Sequence, residues 1–383
     1  PELHTALGVL LYQTGSLGEA QKHLRRALDS DPDFAMAHHV LSTVLCEQGE
    51  MDDALEHATE TVRLNPQAPN FHSHLGLILG RLGRIDEAIK HNETAVDLNP
   101  TEGLIQHNYA VALAAGNQLE KAADAYRTAI ECDPNLPQAY LNLGNILRGR
   151  GKLDEAISTY RTGIKANPNS AKLHNNLGSA LEAQNVDHKA ARHYRRAVEI
   201  DPEFATAHHN LACVYARQER WDEAIAEFEA ALDIQADRFD CRLQLAAALH
   251  NAGLLDRAFE QHVRCLQQDP DNLEARENIG HTMLKTADEK MDHPVLVEKT
   301  TARAREQFEI VVESQPNNVD ALWALAVCHY ELEDFSQAQE YAERVKELNP
   351  DHHRVDALLE ELNRLSPPSR PSPSISSNED EED

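Results

Sequence analysis

Large aromatic side chains and long hydrophobic runs are both scarce in this 383-residue chain. Phe, Trp and Tyr together make up 5% of the residues, and Ala and Leu dominate the apolar set, which suits helices that pack at close range. The longest apolar runs fall far short of the ~20 residues that a membrane-spanning helix requires. The N-terminal segment also lacks the basic stretch and cleavage site of a secretory signal. We therefore expect neither a membrane span nor a signal peptide.

Basic residues are in short supply as well. The chain has 36 Lys and Arg against 64 Asp and Glu, for a formal charge of −28 and a pI near 5.1. Nucleic acids and anionic membranes are bound by basic surfaces, so the charge argues against both partners. It favours a solvated acidic surface, which keeps the protein in solution.

Closely spaced cysteines are missing too. The six cysteines are widely scattered and form no C-x-x-C pair, which indicates reduced thiols in a cytoplasmic compartment rather than a disulfide framework. The sequence also lacks a phosphate loop, a Gly-rich nucleotide motif and a nucleophile elbow. We therefore predict a protein that is not an enzyme, with no catalytic residues, no cofactor and no metal site.

The chain does contain a regular period of 34 residues. Four residue types recur in phase: a Pro near the end of each copy, an Ala in its second half, a Leu in its first half, and a Gly or Asn between the two. The prolines are Pro32, Pro66, Pro100, Pro134, Pro168, Pro202 and Pro270, and the alanines are Ala20, Ala54, Ala88, Ala122, Ala156, Ala190, Ala224 and Ala258. Such a period indicates a stack of similar helical units rather than several globular domains.

Residues 137–170 show how one copy is expected to fold. Apolar residues spaced three and four apart predict a first helix, which Gly151 ends because Gly accepts the left-handed conformation. Acidic residues then begin a second helix, which Pro168 stops. The small residues Gly144 and Ala156 allow the two helices to approach closely. Each copy is therefore predicted to be a helical hairpin.

The pattern at positions 4, 7, 8, 11, 20, 24, 27 and 32 of each copy resembles the tetratricopeptide repeat, over residues 1–352. The resemblance implies an all-α, right-handed superhelical solenoid of about ten helix-turn-helix repeats, whose first helices line a concave groove. It also implies a scaffold for protein–protein interactions. After the array, an apolar face that includes Val355 and Leu362 predicts a capping helix at residues 353–366.

Two segments depart from the repeat pattern. The ninth copy carries an insertion near residues 285–303, in which Pro294 excludes one continuous helix. We expect a longer loop, or a lengthened first helix followed by a loop, that serves either as a tolerated insertion or as a client-contacting arm. Residues 367–383 are rich in Pro and Ser and end in acidic residues, which predicts a disordered, solubilising tail. A phosphorylated tail or one that binds basic partners is the alternative.

Position 6 of the first helices carries a second periodic signal, a side-chain amide. The amides are Asn108, Asn142, Asn176, Asn210, Gln244 and Asn278, whereas the other copies have Ala6, Val40, His74 and Ala324. Asn is a mediocre helix former, so its repeated use indicates a role, and an amide offers a peptide backbone both a donor and an acceptor. The row resembles the asparagine ladder with which O-linked N-acetylglucosamine transferases grip client backbone. We predict that these six residues bind peptide.

Two alternatives accompany this hypothesis. The amides could instead form bonds between adjacent copies and set the pitch of the superhelix. A chaperone-type clamp for a C-terminal carboxylate is rejected, because Leu141 stands where the tetratricopeptide clamps have a Lys.

Histidines recur at position 4 of the copies. They are His4, His38, His72, His174 and His208. We interpret them as packing residues rather than metal ligands, because a helical stack brings no tight ligand cluster together there. A metal site at His281, Asp288, Asp292 and His293 is a weaker alternative, since their spacing matches no known metal motif.

The sequence thus predicts a scaffold that binds an extended peptide of another protein in its concave groove. The alternative is the non-catalytic, substrate-binding arm of a larger enzyme, such as an O-linked N-acetylglucosamine-type glycosyltransferase. No pattern in the chain specifies an oligomeric state.

Overall fold

The computed structural model describes residues 1–365, so the predicted tail lies outside the described residues. This part of the chain forms 21 α-helices and no strand, which confirms the all-α prediction. The helices are α1 Glu2–Gln13, α2 Leu17–Ser30, α3 Ala35–Gln48, α4 Met51–Leu64, α5 Pro69–Arg81, α6 Ile85–Leu98, α7 Gly103–Ala115, α8 Leu119–Cys132, α9 Pro137–Gly149, α10 Leu153–Ala166, α11 Ala171–Ala183, α12 Asp187–Ile200, α13 Ala205–Arg217, α14 Trp221–Ile234, α15 Phe239–Asn251, α16 Leu255–Gln268, α17 Leu273–Glu289, α18 Pro294–Ser314, α19 Val319–Glu331, α20 Phe335–Leu348 and α21 Val355–Leu365.

The odd-numbered helices from α1 to α19 are the first helices of the ten copies, and the even-numbered helices that follow are the second helices. The turn between the first and second helix of a copy contains one residue in the left-handed conformation, as the sequence predicted for Gly. These residues are Gly15, Gly49, Gly83, Asn117, Gly151, Asn185, Glu219, Gly253 and Glu333, with φ between 56° and 83°. This shared turn folds nine of the ten copies back on themselves, and in the ninth copy residues 290–293 connect α17 to α18 without it.

The two helices of a copy meet at the small residues that the sequence singled out. Ala156 of α10 is fully buried, as are the equivalent alanines in the other copies. A Cβ atom added to Gly144 would lie 2.3 Å from Cε1 of Tyr160, so only Gly fits at that crossing. The predicted close approach of the helices is therefore confirmed.

The helices group into two compact units, residues 1–207 and the residues from 208 onward. In the first unit the largest fully buried side chains are Tyr126, Tyr160 and Tyr194. In the second unit Phe228 and Phe308 take the equivalent places. A ring from the second helix thus fills the space between the helices in the centre of each unit.

The insertion in the ninth copy lengthens both helices. The first helix is extended, as one of the two expectations had it, whereas the other expectation, a longer loop, is wrong because residues 290–293 alone connect the helices. Helix α17 has 17 residues and α18 has 21, whereas α15 and α16 have 13 and 14. Pro294 is the first residue of α18, a position where its missing N–H costs no helical hydrogen bond. The exposed side chains of Met291 and Val295 lie at the tip of this hairpin.

Helix α21 follows the tenth copy and packs against it. Val355 and Leu362 are fully buried, and Val355 lies in a cluster with Leu322, Ala342 and Val345 of α19 and α20. The helix therefore covers apolar surface at the end of the repeats.

Candidate functional site

The position-6 amides of the first unit reach the preceding copy. Asn108 Nδ2 donates to Ser73 Oγ on α5 at 2.9 Å, and Asn142 Nδ2 donates to the Tyr126 hydroxyl on α8 at 3.1 Å. Asn176 Nδ2 donates to Asn145 Oδ1 on α9 at 3.0 Å. Each of these amides therefore lies at a junction between neighbouring copies, where it helps to fix their spacing.

These hydrogen bonds use the amide nitrogens of the three side chains, and their carboxamide oxygens remain available to a ligand. Within residues 1–365 the carboxamide oxygens of Asn108 and Asn142 accept no hydrogen bond, while Asn176 Oδ1 accepts a long one of 3.3 Å from Asn175 Nδ2. Asn108, Asn142 and Asn176 are all partly exposed, so each oxygen can reach a ligand. An amide of this kind can serve the packing of copies and a bound peptide together.

Asn145 is a neighbour of these amides that the position-6 pattern does not include. Its Oδ1 accepts from the Tyr160 hydroxyl at 2.7 Å as well as from Asn176. Burial raises the pKa of Tyr126 and of Tyr160 to about 12, so both phenols stay neutral and keep these hydrogen bonds at any physiological pH. The recurrence of Tyr at position 24, three times at a spacing of 34 residues, is the signal that could have revealed this network.

The first three copies use the same surface for other contacts. His74, which replaces the amide in the third copy, places Nε2 2.7 Å from Ser42 Oγ of the second copy. Burial lowers the pKa of His74 to about 4, so the ring is neutral there. The Tyr12 hydroxyl donates to Glu47 Oε1 at 2.6 Å. We call the surface formed by positions 2, 5, 6 and 9 of the first helices the first-helix face.

In the second unit the first-helix face contains a cleft of about 620 Å³. We call it the α13–α15 cleft, and it lies beside Gln244. Its lining residues are His209, Cys213, Ala216, Arg217, Trp221, Phe239, Asp240, Leu243, Gln244, Ala247, Ala248, Asn251 and Glu274. Most of the wall is apolar, and the carboxylates of Asp240 and Glu274 and the guanidinium of Arg217 also line it, which is the composition of a side-chain pocket.

The remaining predicted amides lie in this unit. Asn210 on α13 is partly buried, and Gln244 on α15 is exposed. Among the described residues, no hydrogen bond involves the side chains of Gln244 or Asn278. Their donors and acceptors are therefore hydrated in the free protein and available to a ligand.

The position-4 histidines pack between the helices of their own copies and also form hydrogen bonds. Nδ1 of His38 lies 2.8 Å from Nδ1 of His57, and its Nε2 lies 2.9 Å from the Pro32 carbonyl oxygen. Because a carbonyl only accepts, Nε2 carries the proton and Nδ1 must accept from His57. The same pairing joins His4 to His23, His72 to His91 and His174 to His193.

No group of three or more His, Cys, Asp or Glu side chains within residues 1–365 is placed to hold a metal ion. His281, a residue of the alternative metal site, stacks edge-on against Phe308 with ring centres 5.0 Å apart. Across that same stretch of chain, the helices are all too short or too polar to cross a bilayer.

The structure therefore defines an all-α repeat protein built from helical hairpins. Tetratricopeptide repeat models match residues 5–69, 70–102, 110–148, 144–185, 171–204, 203–264 and 296–362. Together these matches cover most of the chain, which belongs to the tetratricopeptide repeat family. Members of this family mediate protein–protein interactions.

Solved structures resemble the chain in fold. The C-terminal part of a tetratricopeptide repeat protein from Cytophaga hutchinsonii is 19% identical, with a TM-score of 0.52 over 62% of this chain and 98% of that one. PilW, a type IV pilus biogenesis factor, is 18% identical, with a TM-score of 0.50 over 56% of this chain and 97% of its own. No curated protein sequence matches the chain.

Proposed function

We propose that the protein is a non-catalytic scaffold that binds extended client peptides on its first-helix face, where the position-6 amides hold the peptide backbone. One observation carries the proposal. The oxygens of Asn108 and Asn142 and the whole side-chain amides of Gln244 and Asn278 form no hydrogen bond within residues 1–365. Asn108, Asn142, Gln244 and Asn278, which share one position of the 34-residue repeat, thus offer unused hydrogen-bonding groups to a ligand.

The chemistry of an amide suits backbone recognition. An extended peptide presents N–H and C=O groups along its length, and a carboxamide accepts from the former and donates to the latter without contacting the side chains. Each such bond is expected to contribute about 1 kcal/mol. A row of amides can therefore bind peptides of differing sequence, as in the asparagine ladder that this row resembles.

The alternative, a substrate-binding arm of a larger glycosyltransferase, relies on the same amides. It predicts the same peptide binding by this chain. It differs only in that the bound client is then presented to a catalytic domain. We also propose a cytoplasmic location, supported by the six free cysteines of residues 1–365. Microscopy of a fluorescent fusion tests it, and a signal outside the cytoplasm contradicts it.

Peptide binding is tested with a random 12-residue peptide library displayed on phage and selected on the full-length protein. The dissociation constants of the selected peptides are then measured by fluorescence anisotropy for the wild type and for the variant Asn142→Ala/Asn176→Ala/Asn210→Ala. Three lost bonds at about 1 kcal/mol each correspond to weakening by about 100-fold. The control changes the exposed Asn135, Asn169 and Asn317 to Ala and should bind like the wild type.

A second variant separates binding from folding. Gln244→Ala/Asn278→Ala removes two amides that make no internal side-chain hydrogen bond, so its helicity and melting temperature should match the wild type. Weakening of the selected peptides by about tenfold or more supports the proposal. Unchanged affinity in both variants, with unchanged circular dichroism, would falsify the role of the amides.

A further inference from the structure

The α13–α15 cleft differs from a plain amide row because it offers room for a side chain. Trp221, the first residue of α14, and Phe239, the first residue of α15, contribute aromatic rings to its wall. Leu243 and Ala247 follow on α15, each one helical turn from the last. The volume of this open cleft, about 620 Å³, is large enough for an aromatic side chain.

The lining of the cleft carries two carboxylates, those of Asp240 and Glu274, and one guanidinium, that of Arg217. Glu274 is exposed and forms no ion pair among the described residues. Asp240 is bound to Arg238 at 2.9 Å, and that hydrogen bond lowers the pKa of its carboxyl, so Asp240 remains ionised. A carboxylate in the first turn also stabilises its own helix, but Glu274 additionally faces the cleft. The chain's formal charge of −28 adds attraction for a basic ligand at longer range.

The exposed amide of Gln244 lines the same cleft as these apolar residues and Glu274. It is the position-6 residue of this copy, so a peptide backbone held there would run beside both. The apolar wall, the amide and the carboxylate suit three neighbouring groups on a ligand: an aromatic ring, a peptide bond and a cation.

We propose, building on the function proposed above, that the α13–α15 cleft binds an aromatic residue that is followed by Lys or Arg in an extended peptide. The aromatic ring packs against Trp221 and Phe239. Gln244 binds the backbone beside it, and Glu274 pairs with the cation. The first-helix face of the second unit thus selects basic–aromatic peptides rather than acidic ones.

The test uses three fluorescein-labelled Gly/Ser nonapeptides. The first carries a central Phe followed by two Lys, the second replaces Phe by Ala, and the third replaces both Lys by Glu. Anisotropy should give the Phe–Lys peptide an affinity for the full-length protein at least about tenfold above either of the others, a difference of 1.4 kcal/mol. In a Trp323→Phe background Trp221 is the remaining indole, and its emission should change when an unlabelled Phe–Lys peptide fills the cleft.

Matched variants locate the binding. Ala247→Phe fills the cleft from position 9 of α15 and should abolish the preference for Phe over Ala, whereas Val111→Phe, at the same position of α7, should not. Glu274→Lys should remove the preference for Lys over Glu. Its control, Glu298→Lys, changes an exposed residue of α18 outside the cleft and should keep it.

The outcomes separate this inference from the proposed function. Equal affinity for the three peptides, or no binding by any of them, overturns the basic–aromatic specificity. Library-selected peptides that still depend on the position-6 amides would leave backbone binding intact in that case. A Phe–Lys preference that survives both Ala247→Phe and Glu274→Lys also overturns the inference, since the peptide then binds elsewhere.

Discussion

A single residue in the left-handed conformation follows the first helix in nine of the ten copies, and not all of these residues are Gly. Glu219 and Glu333 adopt φ of 57° and 62°. A side chain with a Cβ atom is strained in this region, typically by about 1–2 kcal/mol. The sequence period predicted the turn, and the packing of the two flanking helices imposes it even where the residue opposes it.

Replacement of Glu219 by Gly should therefore stabilise the protein by about 1 kcal/mol, because the backbone strain is removed. The measurement is the urea midpoint of unfolding followed by circular dichroism. Glu219→Ala serves as the control, since it removes the charge and keeps the Cβ atom. Equal midpoints for the Gly and Ala variants would contradict the strain argument.

The sequence predicted the candidate site only in part, and individual residues show why. A spacing of 34 residues is enough to single out Asn142 and Asn176. Their partners, Tyr126 and Asn145, belong to the preceding copy, and no local pattern states which atoms meet across that junction. The α13–α15 cleft is less predictable still, because Trp221 and Phe239 approach it from different copies.

At the scale of helices, several hairpins depend on one crossing where a small residue faces a ring, as Gly144 faces Tyr160 and Gly280 faces Phe308. Periodicity predicted the helices well, since a stripe of apolar residues needs a partner surface. It predicted correctly that Pro294 excludes one continuous helix, but it placed a loop where residues 294–303 extend α18. At the first position of a helix, Pro is instead compatible with the fold.

Gly144→Ala tests the crossing in the fifth copy. The new methyl group would lie 2.3 Å from Tyr160 Cε1, so the ring or the helix must move, at a cost of about 1–3 kcal/mol. Thermal unfolding should show a lower melting temperature. The control is Gly149→Ala at the end of the same helix, where a Cβ would meet no atom within 4 Å and the change should be neutral or stabilising. Similar losses from both substitutions would indicate that helix propensity, not packing, is responsible.

For the whole molecule, the histidine pairs give the two units different responses to acid. His57, His91, His174 and His193 of the first unit have pKa values lowered chiefly by burial, to about 4 for His193. In the equivalent places of the second unit His208 faces Glu227, while Arg242 and Arg276 donate to Gln261 and Gln307. The charged residues around the pairs are Glu19, Arg25, Asp53, Glu56, Glu60, Glu87, Arg161, Arg192 and Arg196.

Acid should therefore destabilise the first unit more than the second, where burial lowers the pKa of fewer histidines, namely His250, His262 and His281. An unfolded histidine binds a proton near pH 6.5, whereas the folded pairs resist protonation, so stability falls from about pH 6.5 down toward pH 4. Both Trp residues lie in the second unit. At pH 5.0, unfolding followed by circular dichroism should begin at a lower temperature than unfolding followed by Trp emission. At pH 7.5 the two transition temperatures should lie closer together.

A variant with His38, His72 and His174 changed to Gln is the matched control. The fourth copy has Gln106 in this position, whose Nε2 donates to the Pro100 carbonyl at 2.9 Å, so the change keeps that bond and removes the paired imidazole. The variant should lose much of the separation between the two curves at pH 5.0. A separation as large as in the wild type would show that the pairs do not cause it.

Binding of a client peptide along the first helices underlies the proposed function of the whole molecule. Photo-crosslinking measures the location of the bound peptide directly. A photoreactive benzoyl-phenylalanine is placed at each position of a library-selected peptide in turn, and its adducts on the full-length protein are mapped by mass spectrometry. We predict adducts on the first helices at positions 2, 5, 6 and 9, with neighbouring peptide positions labelling neighbouring copies. Adducts concentrated on the second helices, or on the tip around Met291 and Val295, would contradict peptide binding on the first-helix face.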